Sequence, residues 1–151
     1  MAVADPADTV WVEQAHADAI LALLQAAPPS ISPLVVHDGV VDPPPGDDDR
    51  KRGYVVAYIA TSTPSGTSLT SVHDRAVTRA YLHCIGMTAA TARAIAGRAT
   101  NALLNVTPQI ANRVVFPIRD DGSDTPPEPD RSSGKTYVDR VLVLRLESVP
   151  G

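Results

Sequence analysis

Cysteine and aromatic residues are scarce in this sequence. Cys84 is the single cysteine among 151 residues, and aromatic side chains make up 4% of the chain. One cysteine excludes an intrachain disulfide and a zinc site built from several cysteines, and it is typical of a reducing compartment. Valine, leucine and alanine must therefore supply most of the hydrophobic core.

A large charge of one sign and long apolar runs are also lacking. The formal net charge is −4, which gives no bulk attraction to nucleic acid. No apolar run approaches the roughly 18 residues that indicate a membrane span. The start, "MAVADPADTV", lacks the basic residues and continuous apolar stretch of a signal peptide. With 44% hydrophobic residues, we expect one soluble, cytosolic-type domain over residues 1–151 that binds no membrane.

Motifs that carry chemistry are lacking too. The sequence contains no phosphate-binding glycine loop and no nucleophile elbow. The pairs His37-Asp38 and His73-Asp74 fall at the ends of expected strands, where turn or capping roles are the simpler interpretation. We therefore expect no enzyme, no cofactor and no catalytic or metal site. The alternative is a small metal-dependent hydrolase that uses both pairs, which metal analysis of the purified protein would reveal.

Hydrophobic periodicity predicts an α+β fold. Apolar residues at a spacing of three and four indicate two helices, and alternating residues indicate five strands. Asp8 or Thr9 is expected to cap the first helix and Thr88 the second. The order α-β-β-β-α-β-β predicts a four- to five-stranded sheet, mainly antiparallel or mixed, with both helices on one face. The helices are expected at 8–26 and 87–106, and the strands at 34–37, 53–60, 73–86, 113–118 and 137–148.

Several expected strands are apolar on both faces. In "GYVVAYIA", Tyr54, Val56 and Tyr58 point to one side, while the residues between them point to the other. The helices can cover only one face, so the second face is expected to contact another molecule. We predict self-association on this ground. The alternative is a monomeric domain whose long loops fold back over the second face.

Two polar segments are expected to be long loops, at 42–52 and 119–136. Proline clusters mark both, and the second is low in apolar residues, as is typical of segments that order on binding. Consecutive aspartates at 47–49 lack the spacing of a calcium loop, and the short basic run after them nearly cancels their charge. We predict that these loops contact partners through Asp47, Asp48, Asp49, Arg50, Lys51, Arg52, Arg119, Asp120, Asp121, Arg131 and Lys135.

The order and character of these segments resemble a known family. An N-terminal helix ending "ILALLQAAPP" precedes a strand that closes at "VHDGVV". "GYVVAYIATSTPSGTSLT", "RAYLHCIGMTAATARAIAGRATNALL" and "RVVFPIRDD" follow, and "YVDRVLVLRL" is the last strand. From about residue 8 to 147, this succession resembles the tail terminator proteins of long-tailed, siphovirus-type bacteriophages, particularly those of actinobacteria.

The resemblance implies a structural protein of the virion, located at the junction of tail and neck after assembly in the host cytoplasm. Its copies would form a homohexameric ring that caps the tail tube and ends polymerisation of the major tail tube protein. The other side of the ring would meet the head-side connector, or stopper, protein. DNA would pass through the lumen without specific binding. The alternative within the same class is a neck, tail-completion or head-closure protein, which tail-capping assays would distinguish.

Overall fold

A computed structural model describes residues 6–41, 44–62, 75–132 and 134–151, and the side chains of residues 12 onward within them. Within these residues no helix is both long and apolar enough to cross a membrane. The elements, in chain order, are α1 (Pro6–Gln25), β1 (Val36–Asp38), α2 (Asp47–Arg52), β2 (Tyr54–Ser62), β3 (Ala76–Gly86), α3 (Ala89–Leu103), β4 (Arg113–Val115), β5 (Arg119–Asp120), β6 (Glu128–Asp130) and β7 (Tyr137–Pro150).

One mixed sheet organises the described residues. Its strands follow the order β1-β2-β3-β7-β4, and β5 and β6 also pair with β7. β1 is parallel to β2, and every other pairing is antiparallel. The predicted α+β class with a mixed sheet is confirmed, although the structure adds one helix and two short strands to the predicted order.

The helices α1 and α3 cover one face of this sheet. Ile20 and Leu24 of α1 and Leu103 of α3 pack against Leu82 and Leu146 from the two central strands, and all five side chains are buried. The Thr88 hydroxyl accepts a hydrogen bond from the Thr91 amide at 3.1 Å, so this predicted helix cap is confirmed. Placing both long helices on one face was therefore correct.

The expected start of the first helix was wrong. α1 begins at Pro6, so Asp8 and Thr9 lie inside the helix and cannot cap it. Proline is well suited to the first turn of a helix, because its missing amide has no intrahelical partner there.

The segment 42–52 was expected to be a loop, but its second half is the helix α2. Three aspartates occupy its first turn and three basic residues its last, an arrangement that the helix dipole favours. Gly53 ends the helix with a φ of 83°, a value at which glycine has no steric penalty. The charges that made the segment resemble a solvated loop therefore stabilise a short helix.

The segment 119–136 was also expected to be a long loop, but much of it lies along the edge of β7. β5 and β6 pair with β7, and between them the amides of Asp121 and Thr125 donate to the carbonyls of Val143 and Val141, each at 2.9 Å. These bonds give the backbone of β7 partners on its outer side, as backbone polar groups in a sheet require. Such pairing needs no apolar side chains, so composition did not reveal it.

Candidate interface on the open sheet face

We call the side of the sheet away from α1 and α3 the open face. Of the six large hydrophobic residues that are exposed among the described residues, four lie on this side. Tyr58 of β2 and Tyr81 of β3 are directly opposite each other, with 48% and 41% of their surface exposed. Val114 and Phe116 lie at the β4 edge. The apolar second face predicted from the strand pattern is therefore present, but it is exposed only in part, because Tyr54, Val56 and Val143 on the same side are buried.

A row of ion pairs crosses the open face beside the two tyrosines. Asp121 accepts a hydrogen bond from Arg79 at 3.2 Å and lies 3.8 Å from Arg145. Arg145 also pairs with Glu147 at 3.2 Å, and Arg75 pairs with the same carboxylate. Tyrosine and arginine together are typical of the centres of protein–protein interfaces. The open face therefore has the composition of a contact surface.

A small cavity lies at the opposite end of this face. Its volume is about 180 Å³, and it is lined by Tyr54, Ile85, Asp130, Ser132, Tyr137 and Asp139. One oxygen of Asp139 accepts a hydrogen bond of 2.6 Å from His83 Nδ1, and the other is buried without a partner among the described residues.

Aromatic rings surround this cavity. The Arg50 guanidinium lies 5.5 Å from the centre of the Tyr137 ring, and Tyr58 packs edge-on against His83 at 5.3 Å between ring centres. Burial is the main cause that raises the pKa of Tyr54 to about 12, and the charges of Tyr137 and Asp139 are the next, so its hydroxyl stays protonated. The cavity therefore offers carboxylates and aromatic faces, which are groups that attract cations.

The predicted interface residues occupy separate parts of the surface. Asp121 lies within the ion-pair row, and Arg119 is directly opposite Arg145. Arg50 is buried and pairs with Asp47 at 3.1 Å, so it is not a free loop charge as expected. The remaining predicted residues are exposed, on α2, on β5 or between β6 and β7: Asp47, Asp48, Asp49, Lys51, Arg52, Asp120, Arg131 and Lys135.

The two histidine–aspartate pairs do not form a site in the described residues. His37 lies in β1 and packs edge-on against Tyr54, with 5.7 Å between ring centres, while Asp38 ends that strand. His73 and Asp74 lie outside the described residues. Within the described part of the chain, no three histidine, cysteine, aspartate or glutamate side chains come together as metal ligands would.

The cysteine does not provide a nucleophile. Cys84 is fully buried in the core, and this burial, followed by the charge of Asp139, raises the pKa of its thiol to about 12. The reactive form of cysteine is the thiolate, which is therefore suppressed at neutral pH.

A polar network on the helix side of the sheet was not predicted from the sequence. The two ring nitrogens of His16 make hydrogen bonds with the hydroxyls of Thr78 at 2.6 Å and Ser148 at 2.7 Å, and all three residues are fully buried. Arg113 also donates to the Ser148 hydroxyl at 3.0 Å. The available signal was Thr78 itself, which alternation places on the same side as Ala76 and Ala80.

Comparison with known proteins identifies the fold. The sequence matches no protein-family model and no curated protein. A chain from a solved structure described as the virion of a native gene transfer agent particle is 21% identical, with a TM-score of 0.58 over 89% of this chain and 93% of that chain. A second solved protein is 12% identical, with a TM-score of 0.50 over 98% of this chain and 97% of its own. These likenesses establish a shared fold.

Proposed function

We propose that this protein is a structural subunit of a phage-type virion, and that its copies form a ring which caps the tail tube. The observation that carries the proposal is the open face, where Tyr58 and Tyr81 lie uncovered beside a row of arginines. A face of this composition suits contact with another protein. The shared fold with a chain of a gene transfer agent virion supports the assignment to a virion.

The partners follow from the position that a tube cap occupies. Copies of the same chain form the ring through side-to-side contacts between neighbours. One side of the ring contacts the major tail tube protein, and the other contacts the head-side connector. A net charge of −4 suits a lumen through which DNA passes without tight binding.

Capping of purified tail tubes tests the proposal. Wild-type protein is expected to bind one end of each tube and to stop further addition of tube subunits. The double variant Tyr58→Asp, Tyr81→Asp places two charges on the open face and should lose this activity. Arg93→Glu is the matched control, because Arg93 is exposed on α3, on the opposite layer. Protein that leaves tube growth unchanged would contradict the proposal, and binding to the head-side connector alone would instead indicate a neck or head-closure protein.

A further inference from the structure

The two ends of the open face differ in charge. At one end Tyr54, Ile85 and Asp139 form a row across the three central strands, and the cavity opens there. Six residues further along β2 is the row that contains Arg79 and Arg145. At about 3.3 Å per residue, the two rows are roughly 20 Å apart. Groups at one end of a chain therefore cannot reach those at the other end.

The cavity end has two carboxylates, Asp130 and Asp139, that form no ion pair with a lysine or arginine among the described residues, although Asp139 contacts His83. Asp130 is held by the amide and hydroxyl of Ser132, and one oxygen of Asp139 has no partner among the described residues. None of the six lining residues is basic. Arg50 lies over the Tyr137 ring, but its guanidinium pairs with Asp47 on α2. A buried carboxylate oxygen without a donor is unfavourable, so a donor that enters the cavity would be stabilised.

The size of the cavity indicates the kind of ligand. The cavity has a volume of about 180 Å³. Pockets for small-molecule ligands usually exceed about 300 Å³. The cavity therefore has room for the head of a single side chain, and its tyrosine rings and carboxylates favour a guanidinium.

At the other end of the open face, the ion pairs among the described residues contain more arginines than carboxylates. Arg75, Arg79 and Arg145 share the two carboxylates of Asp121 and Glu147, which leaves one positive charge more than negative (three against two). The Arg75 side chain is 51% exposed, the largest exposed fraction of the three. If Arg75 dissociates from Glu147, that carboxylate still pairs with Arg145 at 3.2 Å. Arg75 can therefore change partner without leaving a carboxylate unpaired.

We infer that Arg75 of one copy binds in the cavity between Tyr54 and Asp139 of the next copy. The charges at the two ends are complementary, and within each chain Arg75 lies ten residues from Ile85 along β3, roughly 33 Å from the cavity. Such a contact is head-to-tail, and head-to-tail contacts that close produce rings. The inference rests on the proposed function in one respect, because both require copies of this chain to meet.

Charge reversal tests this contact. Asp130→Arg and Arg75→Glu should each weaken self-association at least about tenfold, and the double variant should recover most of the loss. Asp18→Arg is the matched control, because it makes the same charge change at an exposed position of α1, on the helix side of the sheet and outside the cavity, and should associate as wild type does. Sedimentation velocity between about 10 μM and 1 mM measures the association, and circular dichroism confirms that each variant is folded.

Three results would overturn the contact: single variants that associate like wild type, a double variant that does not recover, or wild-type protein that is monomeric at about 1 mM. The tube-capping assay separates this inference from the proposed function. Variants that cap normally and associate unchanged would exclude the Arg75 contact while the capping role stands. Wild-type protein that self-associates through this contact but does not cap tubes would exclude the capping role alone.

Discussion

Thr78 and Arg79 are neighbours in β3, but their side chains enter different environments. Thr78 is fully buried on the helix side, where it makes hydrogen bonds with His16 and Thr61. Arg79 is half-exposed on the open face, where it pairs with Asp121. His16, Thr78 and Ser148 are fully buried, whereas the ion-pair row around Asp121 is in contact with solvent. Alternation along one strand therefore separates a polar group that stabilises the fold from one that is available to a partner.

The largest difference between the two faces should appear with adjacent substitutions in β3. Leu82 is fully buried on the helix side, so Leu82→Ala should lower the free energy of unfolding by roughly 2–5 kcal/mol. Tyr81 is 41% exposed on the open face, so Tyr81→Ala should cost about 1 kcal/mol or less. Urea denaturation measures both changes. In the tube-capping assay, folded Tyr81→Ala protein should lose more activity than folded Leu82→Ala protein. A Tyr81→Ala variant that caps like wild type would argue against an interface on this face.

Acid should destabilise the helix side through His16. Burial, followed by the positive charge of Arg113, lowers the pKa of this histidine from 6.5 to about 4. The unfolded chain therefore binds a proton more readily, and the stability that neutral His16 provides is full above pH 6.5 and is lost as the pH falls toward 4. Between pH 7.5 and 5, wild type should lose about 2 kcal/mol more than His16→Gln does. An equal loss in both proteins, or an NMR titration of His16 near 6.5, would contradict this assignment.

The two polar networks should differ in their contribution to stability. Ser148→Ala leaves a buried ring nitrogen of His16 without its partner and should cost about 1–3 kcal/mol. Asp121→Asn weakens ion pairs that are in contact with solvent and should cost less than about 1 kcal/mol. Thermal unfolding at low and high salt measures both. A cost for Asp121→Asn that matches that of Ser148→Ala would show that the open-face row stabilises the fold as strongly as the buried network.

The smallest expected change is a gain of stability at Gly97. This glycine lies in the middle of α3 with no atom within 4 Å of an added methyl group, so Gly97→Ala should stabilise the protein by about 1 kcal/mol or less. Gly53 provides the contrast. Its φ is positive, and an added methyl group would lie 2.7 Å from Ile95, so Gly53→Ala should destabilise. Chemical denaturation measures whether each substitution raises or lowers the free energy of unfolding. A loss of stability for Gly97→Ala would indicate a close contact at α3.

The parts of the fold whose segments have a clear hydrophobic periodicity could be predicted from the sequence. The two long helices, the central strands and the α+β class follow from spacings within each segment. The short strands β5 and β6 were not predicted, because pairing with β7 determines them rather than their own composition. The helix α2 was not predicted because its six residues are charged and show no hydrophobic period. Short elements of this kind depend on neighbours that a single segment does not reveal.

The candidate interface was predicted only in part. Alternation in β2 predicted an apolar second face, and Tyr58 is exposed on it, whereas Tyr54 and Val56 of the same face are buried. The ion pair between Asp121 and Arg79 joins residues 42 positions apart, and His16 contacts Ser148 across 132 positions. No local pattern contains such separations, so the charged part of the face and the buried network appeared only with the fold. The predicted partner contacts of α2 and of residues 131–135 stay predictions.

Electron microscopy of the tail–neck junction, in a particle that contains this chain, tests the central claim most directly. We expect a ring of copies on the last layer of the tail tube, with Tyr58 and Tyr81 covered by neighbouring subunits. We also expect Arg75 of each copy to lie beside Asp139 of the next. A neck that lacks this chain, or a ring in which every open face contacts only solvent, would contradict the account.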